Sequence, residues 1–410
     1  MSEATSLIRD QAALSEVDSL PLGLDEYQSF TETTDRSPTL GLGGLGFLLL
    51  GLFGEVGSLL SEIKKKRRDK DTYLGYRAAV VEELGDALWY FATISLRAGI
   101  LLSDIARRVP AGLADWDYHG HAEATTFRHL QKETTGSNTA LQDDQIERRL
   151  LTLAGFVGEF VQNYNSGRFD SNRDALSADL VEIFRAMIAA ADDADVSLNE
   201  AAEANIVKSL GRWPTKRVWG GFYDQQFEKD EQLPRRIEMR LREKIIGDKT
   251  YVVQQCNGIN IGDRLTDNRV EQDDYRFHDV FHLAYAAILG WSPVIRALFK
   301  VKRKSMPEVD ENQDGARASV IEEAISAMVF NHGLKTEYLR NAESVDYSAL
   351  KAVRDLVSGY EVETRPLWQW EKAILDGFSV FRELRKYRKG VVTADLAAHT
   401  ITYAPWEEEA

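Results

Sequence analysis

Four carboxylates in two short stretches could do chemistry together. Glu55 and Glu62 lie in GFLLLGLFGEVGSLLSEIKKK, residues 46–66, and Glu83 and Asp86 lie in VVEELGDALWY, residues 80–90. On a helix, residues seven apart project from nearly the same side, and residues three apart share a face. Two antiparallel helices packed by their apolar stripes would bring all four side chains to one partly buried seam. Carboxylates gathered away from water repel each other until a positive charge joins them. A hard divalent cation is what such oxygens prefer, Mg²⁺ first and Mn²⁺ as the alternative. Glu55, set among Leu, Phe, Gly and Val, is therefore read as a metal ligand on a core-facing helix. The plainer reading of any one of these acids is a solvated side chain, or a salt bridge to Lys64, Lys65 or Lys66.

The elements that would carry these residues are helices. Val80, Leu84, Leu88 and Phe91 form a stripe at helical spacing, and Leu180, Phe184 and Met187 form another, as do Ala324 and Met328 with their neighbours. The chain also repeats itself. LGDALWYFATISLRAGILLSDI (84–105) lies over LVEIFRAMIAAADDADVSLNEA (180–201) at an offset of 96 without a gap, so that Asp86 meets Glu182 and Glu83 meets Asp179. Upstream, GEVGSLL matches GEFVQNY, placing Glu159 against Glu55. A weaker echo sets VIEEAISAMVF (320–330) over residues 80–90. The repeating unit is a helix with an early acid, a loop, and a second helix with paired acids.

β signals are few: YVVQQCNGINIG (251–262), with Asn-Gly between two short runs, and VVTADLAAHTITY (391–403). Both read as small hairpins on a helical body. The expected fold class is all-α. The expected division is a first helical domain over 1–118, a linker over 119–145 rich in Ser, Gly, Asn and Asp, a second, divergent domain over 146–217, and a mainly helical C-terminal domain over 218–410 carrying the hairpins.

Composition excludes several functions. Charged residues make up 28% and hydrophobic ones 44% of the 410 residues, the balance of a globular protein. The formal net charge of −15 argues against nucleic acid as the main ligand. One cysteine, Cys256, leaves no disulfide framework and makes a reducing cytoplasm the expectation. The apolar run from Leu40 to Gly54 is short for a membrane span and rich in Gly, so it reads as buried core, with no membrane as partner. GLGGLG (41–46) spells a dinucleotide fingerprint, but no strand precedes it and the reading is rejected.

GLFGEVGSLLSEIKK, followed by EELGDALWYFATISLRAGILLSDI, resembles the MazG-type nucleoside triphosphate pyrophosphohydrolases of the all-α NTP pyrophosphatase superfamily, and LDEYQSFTETTDRSP (24–38) resembles that family's lead-in helix. The family pattern is E-x-x-E, a spacer, then E-x-x-D. The resemblance implies tandem MazG-like bundles and Mg²⁺-dependent cleavage of a nucleoside triphosphate into monophosphate and pyrophosphate. Glu55, Glu83 and Asp86 would then be catalytic metal ligands, with Glu62 assisting, because Ser58 stands where the second acid belongs. In the second copy Glu159, Asp179 and Glu182 are the corresponding ligands, and Gln162 replaces the second acid. That copy continues into NIVKSLGRWP, where Asn205, Lys208 and Arg212 share a face and would approach the substrate phosphates. Lys64 and Lys65, in the run KKKRRDK (64–70), could offset triphosphate charge at the site mouth. Acids from the first copy and cations from the second would divide the work.

The C-terminal region resembles the extension of longer MazG-family proteins and holds YRFHDVFHLAYAAILGW. His278 and His282 lie four apart beside Asp279, and Glu322 and Glu323 follow on the echo helix, with Ser326 in the place of Asp86. These five residues are a third candidate site, for a transition metal. The alternatives to an enzyme are a catalytically weak nucleotide-binding regulator and a scaffold whose helical units assemble a homo-oligomer. Cleansing of nucleotide pools and nucleotide depletion during phage defence both remain open as cellular roles.

Overall fold

A computed structural model of the chain describes residues 22–36, 44–109, 126–131, 143–170 and 172–406. They divide into two compact units, one ending at Thr215 and one beginning at Lys216. Most of the expected linker lies outside the described residues. Within it, residues 127–130 form a short 3-10 turn that buries Phe127 and Leu130 in the first unit's core.

The first unit is built from helices α1 (Leu24–Thr34), α2 (Leu45–Asp69), α3 (Tyr76–Arg97), α4 (Leu102–Arg108), α5 (Asp143–Asn165), α6 (Arg173–Asp193) and α7 (Leu198–Arg212). The short link after α2 returns the chain so that α3 packs along it, and α6 packs along α5 in the same way. Val80, Leu84, Leu88 and Phe91 on α3, and Leu180, Phe184 and Met187 on α6, are fully buried as their spacing demands. The two stripes join one core, with the rings of Phe91 and Phe184 stacked 5.1 Å apart. Asn172 caps α6 by accepting from the Ala175 N–H at 2.9 Å, satisfying a donor that the helix itself cannot.

One face of α2 is less covered than its sequence suggests. Leu45, Leu48, Leu49 and Leu52 are buried, but Phe47, Leu50 and Phe53 are exposed. The helix is long and apolar enough, by length and composition, to cross a membrane. Its burial is thus one-sided, which corrects the reading of the whole run as core.

The second unit corrects the all-α expectation. The two hairpins are present as β2 (Lys249–Cys256) with β3 (Ile259–Leu265) and β4 (Lys389–Asp395) with β5 (Thr400–Ala404). They are joined by β1 (Arg236–Ile246) into one five-stranded antiparallel sheet ordered β3-β2-β1-β4-β5. Met239 at the centre pairs with Cys256 on one side and Val392 on the other. Asn257 and Gly258, both at positive φ, make the tight turn that right-twisted strands favour. The helices are α8 (Asp279–Leu289), α9 (Pro293–Phe299), α10 (Pro307–Asn312), α11 (Ala316–Leu334), α12 (Tyr347–Leu356) and α13 (Leu367–Tyr387). Every residue of α8 is buried. It packs on α13 where Gly377 leaves room for Phe281, since a Cβ there would stand 2.9 Å from the ring. The chain is mostly helical, with a substantial sheet rather than two isolated hairpins.

Candidate functional site

Glu55 on α2 faces Glu83 and Asp86 on α3. All three are partly buried, and burial pushes the pKa of each upward. Glu55 is moved furthest, to about 8, by burial first and then by the Asp86 charge and a hydrogen bond to Glu83. That hydrogen bond raises Glu55 and lowers Glu83, so Glu55 carries the shared proton and Glu83 accepts it. Tyr90 closes one side. Its ring occupies the space over Gly51, where a Cβ would stand 2.2 Å away, and the charges of Glu55 and Asp86 add to burial in raising its pKa.

Helix α7 reaches into this group. Asn205 Nδ2 on α7 donates to Asp86 Oδ1 at 2.9 Å, and Lys208 Nζ donates to Asp86 Oδ2 and, at 3.2 Å, to Glu82 Oε1. Asn205 is itself oriented by the buried Tyr27 hydroxyl, which donates to its Oδ1 at 3.1 Å. The approach depends on Gly85, because a Cβ there would lie 2.5 Å from the Ala201 carbonyl oxygen. Gly85→Ala is expected to force α3 from α7, at a cost of about 1–3 kcal/mol in denaturant unfolding. The same shift should weaken whatever function needs Asp86 beside Lys208.

Other expected residues are engaged elsewhere. Glu62 is buried, and it accepts from Lys65 Nζ at 2.5 Å and from the Tyr73 hydroxyl, which commits Lys65 as well. Lys64 is exposed. In the second copy Glu159 is exposed, Asp179 accepts from Asn163 at 2.7 Å, and Glu182 pairs with Arg185 at 2.7 Å. Arg212 lies over the Trp213 ring at 4.7 Å. Of the residues singled out in the sequence, the fold brings Glu55, Glu83, Asp86, Asn205 and Lys208 together. Sequence spacing missed Tyr27, Tyr73 and Tyr90, whose roles depend on which helix packs over which.

The donor set of the first group suits a hard cation. Its donors are all carboxylate oxygens, and the upward shifts come from burial first, with the mutual repulsion of the acids adding to it. The three do not close into a tight ligand cage. Among the described residues, the donors that lie within 4.8 Å of one another are those of His278, Asp279 and His282 in the second unit. There His282 is joined to Glu322, and Glu323 stands beside both histidines.

Comparison with known proteins bears on both units. The MazG C-terminal domain model matches residues 220–407. The Gene 37 protein of Mycobacterium phage L5 is 33% identical over 91 residues, which is 21% of this chain and 80% of that protein. No solved structure matches. With a MazG C-terminal domain over its second unit and a phage relative matched over most of that relative's length, the chain belongs to the MazG family.

Proposed function

We propose that the chain hydrolyses a nucleoside triphosphate to monophosphate and pyrophosphate, with Mg²⁺ held by Glu55, Glu83 and Asp86. The observation that carries this reading is the group of three partly buried carboxylates spanning α2 and α3, each with its pKa raised by burial and met by Asn205 and Lys208 from α7. Family membership supports a nucleotide-related hydrolase, and the repeated two-helix pattern supports reading residues up to 215 as tandem MazG-like units. Bound Mg²⁺ would supply Lewis-acid charge at the phosphates and lower the pKa of water.

The chain's own residues would do the rest. Glu55 and Glu83 would give up the proton they share, and with Asp86 would fix the reacting end of the substrate. Asn205 holds Asp86 in orientation, and Lys208 places a positive charge beside the acids, where phosphate oxygens would lie. The acids of the second copy, each paired locally or exposed, serve packing and solubility in this reading.

A weak nucleotide-binding regulator is favoured by one feature, the ion pair that already holds Asp86. Pyrophosphate release from a panel of common and modified triphosphates, with and without Mg²⁺, separates the two. Metal-dependent release that is lost in Glu83→Gln is the expected result. A folded chain that releases none but binds nucleotide would establish the regulator instead.

A further inference from the structure

The second unit holds a separate constellation that the proposed hydrolysis does not use. His278, Asp279 and His282 stand at the start of α8, Glu322 and Glu323 on α11, and Gln254 on β2. Both imidazoles have a fixed tautomer. His278 Nδ1 donates to the Tyr275 carbonyl at 2.8 Å, and His282 Nδ1 donates to Glu322 Oε1 at 2.9 Å. Each Nε2 faces carboxylate oxygen. His278 Nε2 lies 3.3 Å from Asp279 Oδ1 and 3.7 Å from Glu323 Oε2, and His282 Nε2 lies 3.5 Å from Glu323 Oε2. His282 is fully buried, and its Nε2 has no hydrogen-bond partner.

Lone pairs that face carboxylate oxygens repel unless something positive lies between them. A protonated imidazole would satisfy the need by closing to about 2.7–2.9 Å, the length of a charge-assisted hydrogen bond. The observed separations are longer. They are close to the ligand-to-ligand spacing around one ion, about 3.3 Å for ligands at 2.0–2.1 Å from a tetrahedral metal, and the donors of His278, Asp279 and His282 all lie within 4.8 Å of one another.

The surroundings fit the same answer. Glu322 also accepts from Ser292 Oγ at 2.6 Å and from the Val294 N–H at 2.8 Å, so its carboxylate is held in place to orient His282. Gln254 Nε2 donates to Asp279 Oδ2, which turns Oδ1 toward His278. The Tyr275 ring stacks flat on His278 at 4.2 Å. Tyr275–Phe277 form a 3-10 turn in which the buried Arg276 is tied to Asp267, Asp274 and Glu243, bracing the segment that presents His278. Carboxylates that fix the far nitrogen of a ligating histidine are the usual outer support of a metal centre.

We propose that His278 Nε2, His282 Nε2 and a carboxylate oxygen of Asp279 bind one divalent transition-metal ion of the zinc class, with Glu323 beside the two histidines and an open position for water. The two nitrogens select against Mg²⁺ and Ca²⁺, which prefer oxygen alone. Glu323 is the half-exposed member and forms the solvent side of the site. This centre is independent of the acids of the first unit, and neither reading depends on the other.

The test uses the full chain, stripped with a chelator and titrated with Co²⁺, whose visible d–d absorption reports ligand number and type. The expected result is one equivalent bound, with the intense bands of four-coordinate nitrogen and oxygen ligation, displaced by Zn²⁺. His282→Asn should weaken that binding by at least about a hundredfold, whereas Glu83→Gln should leave it unchanged. A folded wild-type chain that shows no such spectrum overturns the proposal. So does a spectrum that persists in His282→Asn or vanishes in Glu83→Gln. If His282→Asn fails to fold, the wild-type spectrum and its displacement by Zn²⁺ still decide.

Discussion

Glu55→Gln is expected to melt above the wild-type chain near pH 8 without added metal, while pyrophosphate release falls by roughly 10²–10³-fold, the cost of removing one transition-state contact. The two effects share a cause. Glu55 holds its proton up to about pH 8 in the folded chain, against an ordinary value of 4.5. A raised carboxyl pKa adds stability fully below the unfolded value, and that stability drains away as pH climbs through the folded one. Between pH 4.5 and 8 the unfolded chain ionises while the folded chain does not, so the wild type is progressively penalised. Glutamine carries no such penalty. Glu55 is only half-buried, so solvent screening reduces the gain to about 1–2 kcal/mol near pH 8, shrinking toward zero by about pH 5. Saturating Mg²⁺ should reverse the order, because only the wild type gains binding energy, about 2.7 kcal/mol at a hundred times Kd. Melting curves across pH, with and without Mg²⁺, check both halves. A variant that melts no higher near pH 8 would mean that the acids are already balanced, and the metal reading would lose its physical basis.

The parts of this site that could be read from sequence are those fixed by helical spacing. Glu83 and Asp86 share a face of α3 because they are three apart, and Glu55 faces them because the stripes of α2 and α3 pack together. Asn205 and Lys208 were legible for the same reason, on α7. Glu62 was not, because its fate is set by Tyr73, which follows a short turn whose direction no periodicity encodes. The acids of the second copy repeat the pattern of the first without its environment: Asn163 and Arg185 are local partners that spacing does not reveal. In the second unit the strand β1 carried a signal. Ile237, Met239 and Leu241 alternate with charged residues and are the buried side of the strand. What the sequence could not give was β1's position between the two hairpins, since strand order depends on pairings far apart in the chain. The histidine site shows the same limit. Residues 278, 279 and 282 declared themselves by proximity, whereas Gln254 and Ser292 come from elements brought in by the fold.

Lys208→Met tests whether the second helical pair completes the first. Lys208 reaches Asp86 and Glu82 with about a fifth of its side chain exposed, so it lies between a surface pair and a buried one. Its loss is expected to cost about 1–3 kcal/mol of stability at neutral pH. The sign of the pH dependence follows from Asp86, whose pKa burial already raises and Lys208 holds down. Without the ammonium that pKa rises further, so the defect should deepen as pH increases and fade in acid. Lys208→Met combined with Asp86→Asn should recover most of the lost stability, because the two residues act as a pair. Activity separates the remaining possibilities. If Lys208 meets the triphosphate, the single variant should raise KM and lower turnover together, and added Mg²⁺ will not rescue it. If Lys208 only stands on Asp86 where a cation would otherwise sit, the variant will keep its rate and reach it at lower Mg²⁺. The first outcome makes the duplication part of the active site, with acids from one copy and the phosphate-facing cation from the other. The second confines the chemistry to α2 and α3 and leaves α7 as the helix that tunes their charge.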